Sequence, residues 1–148
     1  MHYRTVPKNG DELSILGFGC MRLPLTKERQ IDEPRAIRQI RDAIDQGINY
    51  LDTAWPYHAG ESENVLGRAL CDGYRERVKI ATKLPSWMIK KSEDMDFYLN
   101  AQLEKLKTDH IDYYLIHGLA GDLWDRLESL GVSYFLDQAR ADGRIINA

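Results

Sequence analysis

The sequence contains little cysteine and no long apolar run. Its 148 residues include two cysteines, Cys20 and Cys71, too few for a disulfide framework or a four-ligand metal site. No window reaches the roughly 18 apolar residues that a membrane helix needs. The N-terminus also lacks the apolar core of a signal peptide. We therefore predict a cytoplasmic protein that has no metal site and no membrane partner.

Neither sign of charge dominates. The chain has 20 Lys and Arg residues against 23 Asp and Glu residues, so its formal net charge is −3. Because no basic excess would attract a phosphate backbone, we predict no nucleic-acid partner. The contents of 43% hydrophobic and 29% charged residues are typical of one globular domain, which we place over residues 1–148.

Short β-type runs alternate with longer helical patterns. An Asn-Gly pair at residues 9–10 predicts an opening β-hairpin between residues 3–6 and 13–16. Four strand–helix units are expected to follow, because β-branched and aromatic runs recur ahead of helical spacings. Their strands are predicted at residues 15–19, 48–52, 78–82 and 111–116.

Capping residues mark the expected helix ends. Pro34 and Gly47 bracket the first helix, Ser62 and Ser92 are expected as N-caps of the second and third, and Gly131 is expected to break the last. Apolar residues at helical spacing predict the buried stripe of the third helix. This stripe consists of Met95, Leu99, Leu103 and Leu106.

Repeated strand–helix units predict parallel strands joined by right-handed crossovers, so the fold class is α/β. An open dinucleotide-binding sheet would carry Gly-x-Gly-x-x-Gly directly between its first strand and first helix. Here Gly17 and Gly19 are followed by Arg22 at the third position, and the helix starts only after a long loop. A closed barrel has eight units and about 250 residues. With four units present and a fifth strand expected to start at residues 145–148, we predict the N-terminal half of a (β/α)8 TIM barrel.

Four polar residues lie at or just beyond strand ends: Asp52, Tyr57, Lys83 and His117. Since the carboxyl ends of barrel strands form one face, these side chains are expected to meet there. A neighbouring ammonium group favours the ionised form of a phenol, and a carboxylate orients the ammonium. The set predicts a site that protonates a carbonyl oxygen. No side chain donates hydride, so a nicotinamide cofactor would have to supply it.

Five motifs run through the chain, and together they are specific: LGFGCMR at 16–22, DTAWPY at 52–57, GESE at 60–63, TK at 82–83 and DHIDYYLIH at 109–117. Through them the sequence resembles the aldo-keto reductase family, in particular its ferredoxin-linked bacterial and archaeal branch. The resemblance implies an NADPH-dependent carbonyl reductase. It implies that Tyr57 is the general acid, that Lys83 and Asp52 support it, and that His117 orients the substrate.

The same resemblance bears on the cofactor. The end of the first strand is predicted to bind NADPH through Gly19, Cys20, Met21 and Arg22, together with Asp52. An alternative for Met21 and Arg22 is that they only line the loop. Members of the family continue into four more strands, which supply most cofactor contacts. The iron–sulfur cysteines of the ferredoxin-linked branch would lie near a later C-terminus, so neither cysteine here is interpreted as a cluster ligand.

Three functions are left open. The first is NADPH-dependent reduction of an aldehyde or ketone to an alcohol, with this chain active only when the other half of the barrel is restored. The second is a non-catalytic half-barrel subunit or scaffold, and the third is a Schiff-base aldolase with Lys83 as nucleophile. In a half barrel the first and fourth strands would be uncovered edges, which predicts self-association or a covering partner.

Overall fold

Five parallel strands form the central sheet of the computed structural model, which describes all 148 residues. They pair in the order β3-β4-β5-β6-β7, and a two-stranded antiparallel hairpin, β1-β2, precedes them. The strands are β1 (Tyr3–Thr5), β2 (Glu12–Ser14), β3 (Phe18–Gly19), β4 (Tyr50–Asp52), β5 (Lys79–Leu84), β6 (Ile111–Ile116) and β7 (Ile145–Asn147). The helices are α1 (Glu33–Asp45), α2 (Ser62–Ala69), α3 (Glu93–Leu106), α4 (Gly121–Ser129) and α5 (Val132–Ala141). The α/β class and the parallel sheet are confirmed.

The register of the sheet brings strand ends together. Gly19 pairs with Asp52, Asp52 with Ala81, Ala81 with Tyr113, and Tyr113 with Asn147. Paired residues of parallel strands point to the same face, and residues two apart along a strand share it. Asp52 and the end of β5 therefore face the same side, while apolar strand residues on the other side pack with the helices in one core of 25 buried residues.

Glycine conformations confirm two predicted helix ends. Gly47 follows α1 with φ = 96°, and Gly131 separates α4 from α5 with φ = 84°. In this left-handed region a side chain clashes with the backbone, which glycine avoids. Pro34 lies in the first turn of α1, where Asp32 caps the helix by accepting a hydrogen bond from the Arg35 amide at 3.3 Å.

Ser92 holds the predicted N-cap position of α3, whereas Ser62 is the first residue of α2 and Glu61 is its N-cap; neither serine side chain makes the capping hydrogen bond. The Ser62 hydroxyl donates to the Cys20 carbonyl at 3.1 Å and bonds the Thr53 hydroxyl at 3.0 Å, so it ties α2 to the strand ends. Ser92 makes no side-chain cap. At that helix start the Asp94 carboxylate accepts from the amides of Lys90 and Lys91, at 2.8 and 3.1 Å.

Both sheet edges differ from the prediction. Ile15 and Leu16 were expected in a buried strand, yet each is 58% exposed, and β3 contains only Phe18 and Gly19. The Ile15 amide instead extends the hairpin by donating to the His2 carbonyl at 3.0 Å. At the other side, residues 145–147 do form a fifth strand paired with β6. The uncovered edges are therefore β3 and β7, and the expectation that the fourth strand is an edge was wrong.

Two further features bear on function. None of the helices combines the length and apolar character that crossing a bilayer demands. No group of three or more His, Cys, Asp or Glu side chains lies close enough together to hold a metal ion.

Gly67 sets the distance between α2 and α3. A Cβ at this position would overlap the Lys105 carbonyl oxygen and lie 2.8 Å from the Leu106 carbonyl carbon, both rigid backbone atoms. We expect Gly67→Ala to lower the free energy of unfolding by about 1–3 kcal/mol, as overpacked cores do. Urea unfolding measures the loss. Gly121→Ala is the matched control, because a Cβ there meets nothing within 4 Å; equal stability of the two variants would contradict the prediction.

Candidate active site

Lys83 and Asp52 form the centre of the site. The Lys83 ammonium donates to both Asp52 carboxylate oxygens, at 2.8 and 2.9 Å, and to the Thr53 carbonyl oxygen at 2.6 Å. Only 12% of the Lys83 side chain is exposed. Three acceptors around one ammonium, two of them the oxygens of one carboxylate, hold it in one orientation.

Tyr57 and His117 lie beside this pair. Tyr57 begins a short 3₁₀ turn, Tyr57–Gly60, after β4. The Lys83 nitrogen lies over its ring, 5.1 Å from the centroid. The His117 ring meets the Tyr57 ring edge to face, with centroids 5.9 Å apart. The structure thus brings together the four side chains that the strand-end argument named, Asp52, Tyr57, Lys83 and His117.

Backbone and aromatic contacts place His117. Its amide donates to the Leu84 carbonyl at 3.0 Å, which extends the pairing of β5 and β6 beyond the strands. The Ser86 hydroxyl donates to its carbonyl oxygen. The Trp87 ring packs against the imidazole, with centroids 5.1 Å apart.

Burial lowers the pKa of His117 below its usual value of 6.5; the Lys83 ammonium lowers it further and Asp52 opposes the shift. The Nδ1 atom is buried and has no hydrogen-bond partner. A neutral imidazole has one donor and one acceptor nitrogen, and because Nδ1 is buried, Nε2 is the nitrogen left to hydrogen-bond a bound molecule. His117 is thus suited to orient a polar substrate atom at neutral pH.

We expect this shift to be visible by NMR. The His117 ring signals, assigned by their loss in His117→Gln, should titrate with a midpoint below 6.5. Because the unfolded chain takes up this proton at higher pH than the folded chain, His117 should also make stability fall as the pH drops below 6.5. Urea unfolding of the parent and His117→Gln chains across that range measures this contribution. A midpoint at or above 6.5 would contradict the burial argument.

The predicted cofactor residues differ in accessibility. Met21 is 48% exposed, and Arg22 is exposed with its guanidinium making one long bond, 3.4 Å, to the Met21 carbonyl. Gly19 faces open space and pairs in register with Asp52. Cys20 is fully buried, and burial raises the pKa of its thiol to about 12. The Cys20 carbonyl also accepts from the Ser62 hydroxyl at 3.1 Å, so the predicted contact between Cys20 and a cofactor is not supported by its burial.

A buried polar network behind Lys83 was missed by the sequence analysis. Gln102 donates from Nε2 to the Lys83 carbonyl at 3.1 Å and to Glu63 Oε1 at 2.7 Å, and it accepts from the Tyr114 hydroxyl at 2.8 Å. Glu63 also accepts from the Thr82 hydroxyl at 2.7 Å. Burial raises the pKa of the Glu63 carboxyl, and its hydrogen bonds oppose the shift. The sequence gives one indication of this network, because Gln102 is a polar residue on the apolar face of α3, three residues after Leu99.

The strand order, the crossover helices and a site at the carboxyl ends of the strands define the first half of a (β/α)8-barrel protein. The sequence model of the Aldo/keto reductase family matches residues 15–147. The chain belongs to this family of oxidoreductases, as its motifs predicted. The more specific likeness to the ferredoxin-linked branch stays a prediction.

Comparisons with individual proteins point to the same family. The chain is 34% identical over 128 residues to the aldo-keto reductase YhdN of Bacillus subtilis (strain 168), an alignment that covers 79% of this chain and 38% of that protein. It superposes on the aldo-keto reductase AKR11C1 from Bacillus halodurans (holo form) with a TM-score of 0.80 and 30% identity, over 98% of this chain and 48% of that one. An aldo-keto reductase from Klebsiella pneumoniae in complex with NADPH gives a TM-score of 0.77 and 26% identity, with the same coverage. The chain thus spans less than half the length of these relatives.

Proposed function

We propose that this chain forms the proton-donating half of an NADPH-dependent reductase that converts an aldehyde or ketone to an alcohol. The observation that carries the proposal is the Lys83 ammonium, held by Asp52 at 2.8 and 2.9 Å while it lies over the Tyr57 ring. It supplies a positive charge beside a phenol, which is what a tyrosine acid needs near neutral pH.

In the proposed reaction Tyr57 is the general acid. Its hydroxyl proton goes to the carbonyl oxygen of the substrate as hydride reaches the carbonyl carbon, so the C=O bond becomes an alcohol. Lys83 stabilises the phenolate that remains, and Asp52 keeps the ammonium in place. The imidazole of neutral His117 orients the carbonyl oxygen by a hydrogen bond from Nε2, since Nδ1 is buried. The hydride would be supplied by NADPH when it is bound.

The residues at the end of β3 fit such a cofactor. Gly19 leaves space beside Asp52, since a Cβ there would meet nothing within 4 Å. The Arg22 guanidinium next to it is exposed and forms no ion pair, so it is free to meet an anionic or amide group. We propose that Gly19, Met21, Arg22 and Asp52 hold the part of NADPH nearest the site.

NADPH binding tests the proposal. We would follow Trp55 and Trp87 fluorescence while NADPH is added to the purified chain, because both indoles lie near the site. Saturable binding, weakened in Arg22→Ala, supports the proposal and justifies assays with aldehydes and ketones. Absence of binding, both alone and with a complementary C-terminal half of an aldo-keto reductase, would overturn it in favour of the non-catalytic half-barrel subunit or scaffold.

The aldolase alternative is disfavoured by the Lys83 contacts. A Schiff-base lysine must lose its proton before it attacks a carbonyl carbon. Lys83 instead donates to two carboxylate oxygens and a carbonyl oxygen, which stabilises the ammonium form. Borohydride trapping with a carbonyl substrate should therefore leave Lys83 unmodified.

The polypeptide of residues 1–148 is proposed to associate through its open sheet edges. Leu16 is exposed beside β3, and Ile146 is exposed on β7, where unpaired backbone groups also face outward. Such edges pair readily with another chain or another half of a barrel. Sedimentation should show a species larger than the 17.1 kDa monomer, and Ile146→Lys should shift it toward the monomer. A parent chain that sediments as a monomer at all concentrations would contradict this.

A cytoplasmic location is also proposed. Both cysteines are free thiols, as is usual in a reducing compartment. Localisation of a tagged chain in fractionated cells checks it, and recovery outside the cytoplasm would contradict it.

A further inference from the structure

The loop that carries Tyr57 has an unusual backbone. Three consecutive residues after the tyrosine have left-handed conformations: His58 with φ = 53°, Ala59 with φ = 55° and Gly60 with φ = 93°. Only glycine adopts this region without strain, so the loop needs contacts from outside to stay in this shape.

Helix α3 supplies side-chain contacts to both ends of this loop. The Lys105 ammonium donates to the Gly60 carbonyl at 3.1 Å and lies over the Trp55 ring, 3.6 Å from its centroid. Trp55 also meets Tyr98 of the same helix edge to face, at 4.9 Å between centroids. One lysine thus contacts the residues on both sides of Tyr57 and His58. A second anchor comes from the imidazole of His58, whose Nε2 accepts from the Leu23 amide at 3.1 Å.

The same helix is attached to the strand that carries Lys83. Gln102, one helical turn before Lys105, is fully buried and donates to the Lys83 carbonyl at 3.1 Å. Glu63 connects the two positions, because Oε1 accepts from Gln102 and Oε2 lies 3.8 Å from the Lys105 nitrogen. The position of Lys105 relative to Lys83 is thus set by a buried hydrogen-bonded network.

We propose that Lys105 is a positioning residue that holds the Tyr57 loop at a set distance from Lys83, using α3 as the rigid link between the two. This rests on the proposed role of Tyr57 as proton donor. Lys105 contacts Trp55 and Gly60 rather than Tyr57, so it acts through the loop. Its cationic head and its hydrogen bond act together, since the ring face attracts the charge while the carbonyl fixes the direction.

The test compares Lys105→Met with Lys91→Met. Lys91 is an exposed lysine just before α3, so the control removes the same charge without touching the loop. With the full chain labelled at tyrosine Cζ with ¹³C, the Tyr57 signal among the eight tyrosines is assigned by its loss in Tyr57→Phe. We expect Lys105→Met to shift and broaden the Tyr57 signal, Lys91→Met to leave it unchanged, and Lys105→Arg, which keeps a cation and donors, to restore it. A Tyr57 signal in Lys105→Met that coincides with that of the parent chain would overturn the proposal.

The kinetic readout separates this proposal from the proposed function. Where reductase activity is measured, Lys105→Met should lower kcat about 10-fold to 100-fold with little change in the KM for NADPH, as expected when a reacting group is displaced. A parent chain that is inactive both alone and with a complementary C-terminal half would overturn the reductase proposal, whereas the NMR comparison, which needs neither substrate nor cofactor, would still decide the role of Lys105. If Lys105→Met fails to fold, Lys105→Gln is measured instead, because it removes the charge over Trp55 and keeps an amide donor. A shifted and broadened Tyr57 signal in Lys105→Gln would support the proposal, and a signal that coincides with that of the parent chain would overturn it.

Discussion

Tyr57→Phe is expected to lower the rate of carbonyl reduction by about 10²-fold to 10⁴-fold, the contribution usually made by a positioned general acid. Phenylalanine keeps the ring that meets His117 edge to face at 5.9 Å and lies under Lys83 at 5.1 Å. The substitution therefore removes the transferable proton and leaves the packing intact. NADPH oxidation with an aldehyde or ketone, measured in the assembly that shows activity, gives the rate.

Two comparisons sharpen this experiment. NADPH binding by Tyr57→Phe should equal that of the parent chain, because Tyr57 is not among the residues proposed to hold the cofactor. Tyr134→Phe is the matched control, since Tyr134 is 71% exposed on α5 and away from the site. Undiminished activity of Tyr57→Phe would remove Tyr57 from the proposed mechanism, and loss of NADPH binding would show that the residue acts on the cofactor instead.

Asp112→Ala is expected to lower the free energy of unfolding by about 3–5 kcal/mol, as breaking a buried ion pair does. Only 4% of the Asp112 side chain is exposed. Its Oδ2 accepts from the Arg75 guanidinium at 2.8 Å and from the Ile80 amide at 2.9 Å, and Oδ1 lies 3.4 Å from the Lys79 ammonium. Removing the carboxylate leaves the buried Ile80 amide of β5 without its acceptor. It also removes the anionic partner of Arg75 and Lys79.

Urea unfolding measures this loss, with Asp137→Ala as the control. Asp137 forms a 3.7 Å pair with Arg140 on the surface of α5, where 74% of the aspartate side chain is exposed. Exposed pairs of this kind contribute about 0–1 kcal/mol. If the two alanine variants unfolded at the same urea concentration, the buried network around Asp112 would not have the stabilising role that its contacts indicate.

Much of the fold was predictable because its signals are local. The fourth predicted strand, residues 111–116, has the same bounds as β6, and the break at Gly131 lies where α4 gives way to α5. A continuous β-branched and aromatic run, or a glycine after a helical pattern, needs no distant partner to be interpreted. Ile15 and Leu16 misled the same reasoning, since their apolar character suggested burial whereas β3 is an edge whose outer side nothing covers.

The residues of the candidate site could be predicted where the topology of the sheet alone places them together. Once the strands were expected to be parallel, Asp52, Lys83 and His117 had to lie at one end of the sheet, and the structure places them there with Tyr57. The sequence could not show which of these side chains contact one another, because periodicity carries no information on distance. Lys105 shows this limit: nothing near it in the sequence indicates that it contacts Trp55 and Gly60, 50 and 45 residues away.

The sequence by itself determined the α/β alternation, the parallel sheet, the family and which polar residues end the strands, since each depends on neighbouring residues or on short motifs. Only the tertiary structure decided that Ser62 bonds Cys20 and Thr53 rather than capping its helix, and that Gln102 is buried behind Lys83. These outcomes depend on groups far apart in the chain. Buried donors and acceptors must find partners wherever the packed core brings them together.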